Sequence, residues 1–366
     1  MQKYIYHNPN WHNFEWNSRI INDILGKIRN LQGRIIGKME VIGFNFRKEA
    51  IINALSNEIL KTNEIEGEFL NPEKVRSSVA ERLGIKTAGI KKHDRYIDGI
   101  VDMMMDATEN FLKPLSKERL FSWHSSMFPE GRSGIRKINT GKWRNDKDGP
   151  MQVVSGPMGN ETIHFEAPSA EIIDDEISEF LNWFNYSEGV DLVIKSAIAH
   201  LWFITIHPFD DGNGRIARAI SEMLLTRADG VSSRYYGMSS QINIEREIYY
   251  NVLEKTQKGS YDVSDWIIWF LECLEKALLS SERTLEKILT KHKFWTNNSG
   301  KIFNERQVKI INLLHEDFKG KLTTGKYAKL LKCSTDTALR DITDLINKSI
   351  LIKTDSGGRN TCYELK

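Results

Sequence analysis

His207-Pro208-Phe209-Asp210-Asp211-Gly212-Asn213-Gly214-Arg215-Ile216-Ala217-Arg218 lies between two apolar helical patterns, and the reading of the whole chain turns on it. Pro208 disfavours helical geometry at the residue before it, so the apolar segment 192–206, which carries His200 and Trp202, should end there and present the His207 imidazole at the start of a loop. Gly212 and Gly214 flank Asn213 in a turn whose backbone N–H groups can converge just ahead of a second helix beginning near Arg215. A helix N-terminus already carries partial positive charge, and Arg215 and Arg218 in its first turn add repulsion that an anionic ligand relieves. Three residues apart, the two guanidinium groups share a face and suit a polyphosphate. Asp211 is a hard oxygen ligand able to hold the Mg²⁺ of a nucleotide, and His207 is the nearby group whose ordinary pKa suits a general base. Together these residues read as phosphoryl or nucleotidyl transfer. A plain turn between helices accounts for each residue singly, but not for the set.

Outward from this loop, helix dominates. Ser18 precedes apolar residues at Ile20, Ile21, Ile24, Leu25, Ile28, Leu31, Ile35 and Met39, which predicts a long amphipathic helix behind an aromatic N-terminal arm. Further helical recurrences run through 51–59, with a stop at Gly67, and through 101–111, 115–127, 172–184, 216–227, 245–256 and 263–289. The exception is 138–168, where repeated Gly and Pro separate two strand-like pieces, 151–154 and 162–165, read as a β-hairpin flap on a mainly α-helical body. Residues 294–304 are polar and turn-rich and mark a domain boundary. Beyond it come helices at 305–316 and 324–331, a third capped by Ser334 and running to Asn347, and strands 351–354 and 362–365 joined across Gly357 and Gly358. That order resembles a winged helix. The expected organisation is therefore an arm and long helix over 1–48, a main domain over 49–295 and a winged helix-turn-helix domain over 300–366.

The 366 residues suffice for two or three domains, and a composition of 40% hydrophobic and 27% charged residues is that of a chain that mostly folds. Lys and Arg total 51 against 49 Asp and Glu, and a net charge of +2 makes neither nucleic acid nor membrane an obligatory partner. Cys273, Cys333 and Cys362 are odd in number and lack any CxxC pair, which points away from a disulfide framework or zinc site and towards a reducing compartment. The longest apolar region, near 197–206, contains His200 and is too short to span a bilayer, and the N-terminus lacks a signal-peptide stretch. A cytoplasmic protein with no membrane contact is expected.

The stretch 207–218 resembles the signature of the Fic family, HPFx(D/E)GNGRxxR, and agrees with it at every defined position. The likeness extends over roughly 49–289, with a flap (about 148–165) before the loop and Tyr249-Tyr250 after it, and the aromatic arm is similar to a region ahead of some Fic domains. Most such proteins are protein adenylyltransferases. The resemblance implies that His207 takes the proton from a Ser, Thr or Tyr hydroxyl of a target protein as that oxygen attacks the α-phosphate of ATP. It further implies that Asp211 holds Mg²⁺, that Asn213 with the backbone of Gly212 and Gly214 stabilises charge on the α-phosphate, and that Arg215 and Arg218 bind the β and γ groups. Arg215, where variants carry Lys and transfer the γ-phosphate, favours AMP transfer. Tyr249, Tyr250 and Gln257 occupy positions similar to those lining the adenine pocket, although aromatics on a helix are more often core. The target segment is expected to dock by adding a strand to the flap. His124 and His164, with no carboxylate or cysteine at ligand spacing, are read as structural.

Thr62-Asn63-Glu64-Ile65-Glu66-Gly67 fits the family's inhibitory pattern (S/T)xxxE(G/N) and resembles the class whose inhibitory helix, here about 49–66, is N-terminal in the same chain. Glu66 ends an amphipathic helix, where the dipole disfavours a carboxylate unless a cation faces it, and Arg218 is the natural partner. The pair would occupy the γ-phosphate site and silence the resting enzyme. A solvated charge at a helix end is the plainer alternative.

Two rival functions stay open at this point. Residues 301–366 carry 13 basic and 8 acidic residues, a net of +5 against −3 for the rest, which suits DNA. The third helix of that segment, however, sets Asp336, Asp341 and Asp344 against Arg340 and Lys348, so a protein contact or a homodimer through 300–366 is equally consistent. Removal of AMP by the same site, with Glu66 positioning a water, is the second rival.

Overall fold

The structure is a computed structural model that describes residues 3–40, 44–85, 94–147, 149–157, 159–315, 318–354 and 361–366, the side chains of 44–46 aside. Fourteen α-helices, two three-residue 3-10 helices and three two-stranded hairpins are present among them. They fall into two compact units, 1–281 and 282–366.

The first unit is built around one helix. It holds α1 (Ser18–Glu40), α2 (Phe44–Ile65), α3 (Pro72–Arg82), α4 (Arg95–Glu109), α5 (Lys117–Met127), α6 (Ile173–Tyr186), α7 (Leu192–Ile206), α8 (Asn213–Asp229), α9 (Ser239–Ile244), α10 (Arg246–Gln257) and the start of α11 (Ser264–Asn297), with α6 and α8 packed on α7. Every residue of α7 from Val193 to Ile206 is buried, which follows from a run that is apolar on all sides. Even Lys195 is drawn in, donating to the Ser187 carbonyl at 2.9 Å over the Trp183 ring. α7 and α8 form an antiparallel pair joined by residues 207–212, so the motif loop sits at one end of the two most buried helices.

The strands are peripheral. β1 (Arg132–Ser133) and β2 (Arg136–Lys137) make a short hairpin, and β3 (Gln152–Ser155) pairs antiparallel with β4 (Thr162–Glu166), with a register shift between Val153 and Val154. The expected hairpin is present, its first strand one residue later and its second one residue longer than 151–154 and 162–165. The N-terminal arm is part of this unit: Tyr4 and Tyr6 pack against Phe165 of β4, Tyr6 donates to the Glu166 carbonyl at 2.7 Å, and His12 stacks on Trp202 at 5.3 Å. α3, α9 and β1–β2 were not anticipated, because the first two carry little apolar recurrence and the strands are two residues each.

In the second unit α12 (Glu305–His315), α13 (Thr324–Leu331) and α14 (Thr335–Asn347) precede β5 (Leu351–Lys353) and β6 (Tyr363–Leu365), which pair antiparallel. Their core gathers Ile310, Ile311, Tyr327, Ile342 and Leu345. The unit begins at Glu282, earlier than the boundary at 294–304 suggested, because Phe294 and Trp295 pack against this core. Gly357 and Gly358, assigned to the turn between the strands, lie outside the described residues.

Candidate active site

His207 ends α7 in the left-handed region, φ 52° and ψ 55°. The helix stops where Pro208 demands, but the residue is left-handed rather than extended, a conformation His tolerates better than most non-glycine residues. Three contacts hold it there: the Arg144 side chain donates Nε–H to the His207 carbonyl at 2.8 Å, the Arg144 backbone N–H donates to the Pro208 carbonyl at 2.9 Å, and His207 Nδ1 lies 3.2 Å from the Ile204 carbonyl. A carbonyl can only accept, so Nδ1 carries the ring proton and Nε2 keeps its lone pair. Desolvation lowers the imidazole pKa to about 4 against the opposing Ile204 bond, with Arg144 adding to the fall, so the ring is neutral at pH 7. Arg144 is itself buried and paired with Asp146 at 2.8 Å. Nothing in the sequence marked it, since its partner lies 63 residues away.

Downstream, Phe209 is fully buried and stacked on His124 at 4.2 Å. Both ends of the Asn213 amide brace the loop: its oxygen accepts from Phe209 N–H at 2.9 Å and its nitrogen donates to the Phe209 carbonyl at 2.8 Å. The side chain expected to face phosphate is thus spent largely on closing the turn. His124 accepts from Gly141 N–H at Nδ1 and reaches the Asp211 carbonyl at 3.2 Å, and burial lowers its pKa to about 4. The reading of His124 as a structural residue matches these contacts. Asp210, unassigned from sequence, accepts from the backbone and side chain of Asn139 at 2.7 and 2.9 Å.

α8 opens at Asn213 with Gly212 as its N-cap, φ 81°, and no side chain caps it. Its first N–H groups therefore face the cleft without a side-chain acceptor, the arrangement that binds anions. Behind them lie the two arginines, both buried. Arg218 donates Nε–H to Thr62 Oγ1 at 2.6 Å and Nη2–H to the Thr62 carbonyl at 2.9 Å and to Glu66 Oε1 at 2.6 Å. Burial opposes its charge, but Glu66 together with the neighbouring Tyr249 and Tyr250 more than offsets it, and the guanidinium stays protonated. Its Nη1 is buried with no partner among the described residues. Arg215 donates Nη1–H to Glu68 at 2.8 Å and to Tyr96 Oη at 2.6 Å, lies 3.4 Å from Asp211, and rests on the Phe128 ring.

Glu66 reaches this place because α2 ends as expected. Gly67 has φ 83°, its N–H donates to the Glu64 carbonyl, and Glu68 N–H donates to the Asn63 carbonyl, both at 3.0 Å. This is a Schellman stop, which needs a left-handed residue that glycine supplies without strain. Gly214 completes the fit: a Cβ there would lie 2.3 Å from Glu66 Oε1.

The cleft in front has a volume of about 740 Å³. Its floor is His207 with Asp210 to Gly214, Glu66 stands at one side, and Tyr249, Tyr250, Leu253 and Gln257 of α10 form a wall. The sequence-predicted residues thus converge on one cavity, with Arg215 and Arg218 behind its lining. Tyr249 is nonetheless tied into the core, its hydroxyl 3.1 Å from His200 Nε2, and Gln257 donates to Thr205 at 3.2 Å. Residues 151–155 line the cavity consecutively, so β3 presents its edge rather than one face. His164 does meet a carboxylate: Glu254, 90 residues on, lies 2.8 Å from Nδ1, while Ser155 Oγ is 2.6 Å from Nε2. Sequence spacing missed this pairing because it links the flap to α10.

A magnesium ion is consistent with the donor set. Mg²⁺ needs only one or two carboxylates when phosphates and water complete its shell. Asp211 supplies one, oriented by Ser133 Oγ–H and Gly212 N–H. No cluster of three metal-ligating side chains exists among the described residues. None of their helices is long and apolar enough to cross a membrane.

Residues 4–85 match a domain of unknown function, DUF4172, and residues 114–225 match the Fic/DOC family. A probable protein adenylyltransferase of Aquifex aeolicus (strain VF5) is 30% identical over 96 residues, 26% of this chain and 28% of that protein. Protein adenylyltransferase Fic of Drosophila willistoni is 33% identical over 104 residues, 28% of this chain and 19% of that protein. The chain thus spans less than a third of the length of these relatives. Among solved structures, a Fic family protein from Desulfovibrio desulfuricans G20 covers 94% of this chain and 95% of its own at 19% identity and a TM-score of 0.54. The mainly helical architecture is therefore a Fic-type fold, and the stretch that matches the Fic/DOC family, residues 114–225, contains the loop from His207 to Arg218.

Proposed function

We propose that the chain is a protein adenylyltransferase that moves AMP from ATP to hydroxyl groups of target proteins and is held inactive by its own α2. The observation that carries this reading is the neutral His207 imidazole beside an uncapped α8 N-terminus, with paired guanidinium groups behind it. His207 Nε2 accepts the proton of a Ser, Thr or Tyr hydroxyl whose oxygen bonds to the α-phosphorus as pyrophosphate leaves. A base held near pKa 4 is weak; the negative triphosphate beside it raises its proton affinity, so its strength arrives with the substrate. Asp211 is the residue to hold Mg²⁺, which neutralises phosphate charge when bound. The N–H groups of α8 receive the charge that grows on the α-phosphate, and Asn213 acts by keeping the turn closed. Tyr249, Tyr250 and Gln257 form the adenine wall, and the exposed edge of β3 takes the target as an added strand.

Glu66 is the inhibitory group in this reading. Its 2.6 Å bond to Arg218 Nη2 occupies the guanidinium that would hold the γ-phosphate. The test uses ATP labelled at the α-phosphate and a protein lysate as acceptor. Wild type, Glu66→Gly and Glu66→Gly/His207→Ala should label lysate proteins weakly, strongly and not at all; equal labelling by all three removes both the base and the latch. We further propose that this chemistry runs in the cytoplasm and that the second unit is a winged helix serving recruitment or dimer formation. Duplex DNA finds less support, because Arg306 pairs with Asp341 and Lys348 with Asp344, leaving fewer cations for phosphates.

A further inference from the structure

We propose that Glu68 and Tyr96 are positioning residues that withdraw the second signature guanidinium, Arg215, so that one turn holds both phosphate-binding arginines away from the cleft. The inference rests on the reading of the cleft as an ATP site and extends it to residues that reading does not use. Arg215 Nη1 donates to Glu68 Oε2 at 2.8 Å and to Tyr96 Oη at 2.6 Å, and the Tyr96 hydroxyl in turn donates to the same Glu68 oxygen. The triangle is closed, and each member satisfies the other two. Arg215 is 1% exposed and Glu68 36%, so the cation is committed while the anion keeps access to water.

A β-phosphate brought to Arg215 must compete with the Glu68 carboxylate already bonded to it. The two anions would share one buried cation at close range, and like charges in a poorly solvated site repel strongly. Either Glu68 leaves or the phosphate does not arrive. Glu66 and Glu68 also flank Gly67, whose left-handed turn is fixed by bonds to the Asn63 and Glu64 carbonyls. A single turn thereby carries both clamps, and removing Glu66 alone takes the carboxylate from Arg218 while Glu68 still holds Arg215.

Calorimetric titration of Mg²⁺·ATP and of AMP into the full chain tests this without relying on transfer. Relative to Glu66→Gly, the Glu66→Gly/Glu68→Gln variant should bind ATP about tenfold more tightly, the scale of one charge-assisted bond released to the ligand. AMP, which has no β-phosphate, should bind equally to both. Tyr96→Phe in the Glu66→Gly background removes the hydroxyl while sparing the ion pair, and should tighten ATP two- to threefold, again sparing AMP. ATP affinity unchanged or weakened in both variants, or an equal shift for ATP and AMP, overturns the proposal. If Glu66→Gly binds ATP yet labels no protein, the adenylyltransferase reading falls and the clamp is still judged by the titrations.

Discussion

The two ends of α8 solve the same problem, a buried arginine, in opposite ways. Beyond the C-terminal end, Arg234 bonds Glu222 at 2.6 Å and Asp229 at 2.7 Å, with both carboxylates on α8 itself and only 3% and 2% exposed. At the N-terminal end, Arg218 and Arg215 bond Glu66 and Glu68, which come from a turn about 150 residues away and are 29% and 36% exposed. The first cluster is sealed, and no ligand can compete for its cation. In the second the anions are on the wet side, so another anion can replace them. Burial of the cation is common to both; exposure of the carboxylate is what sets a sealed brace apart from the proposed latch.

Cutting the sealed pair should have the largest effect on folding. Arg234→Met leaves Glu222 and Asp229 buried without their cation and should cost about 3–5 kcal/mol, read as a lower denaturant midpoint. ATP should not restore it. Glu66→Gln should cost only about 1–2 kcal/mol, since Arg218 keeps both Thr62 bonds. Saturating Mg²⁺·ATP should recover that loss, because a ligand that binds only the folded chain stabilises it. Equal costs for the two substitutions would erase the distinction between brace and latch.

A third test concerns the acid that connects the two regions. Glu58, on α2 two turns before Glu66, is buried beside Glu222 and accepts from Ser239 N–H at 2.9 Å and from its hydroxyl. Burial and the neighbouring Glu222 push its pKa up to about 7, against the Ser239 bonds and the more distant Arg218. The folded chain therefore keeps a proton that the unfolded chain, with an ordinary carboxyl pKa of about 4.3, has released. Stability from this group is full below that ordinary value and is lost as pH rises through 7. The melting temperature should fall by a few degrees between pH 5 and pH 8, and Glu58→Gln should flatten that slope. A wild-type melting temperature that does not fall over this range would show the site ionised throughout.

Much of this was legible before any coordinates. The 3.6-residue recurrence located most of the long helices, because an amphipathic or wholly buried helix writes its packing into its own spacing. The placement of His207, Asp211 and Gly212 to Arg218 was legible because their geometry is local: within twelve residues the chain ends one helix, turns on glycines and begins another. The pairing of Glu66 with Arg218 was legible for a different reason, since a helix stop at Gly67 leaves a terminal carboxylate in need of a cation. Short elements such as α3, α9 and β1–β2 escaped because so few residues carry no periodicity.

What the sequence by itself determined is the set of groups and their local geometry: where α7 stops, why α8 lacks a cap, and which anion ends α2. Only the tertiary structure decided who meets whom across long separations. Arg144 holds the His207 carbonyl, Asn213 turns inward to Phe209, His164 meets Glu254, and Glu68 with Tyr96 captures Arg215. Those contacts depend on how helices pack, and packing is set by the whole apolar core rather than by the spacing of neighbouring residues.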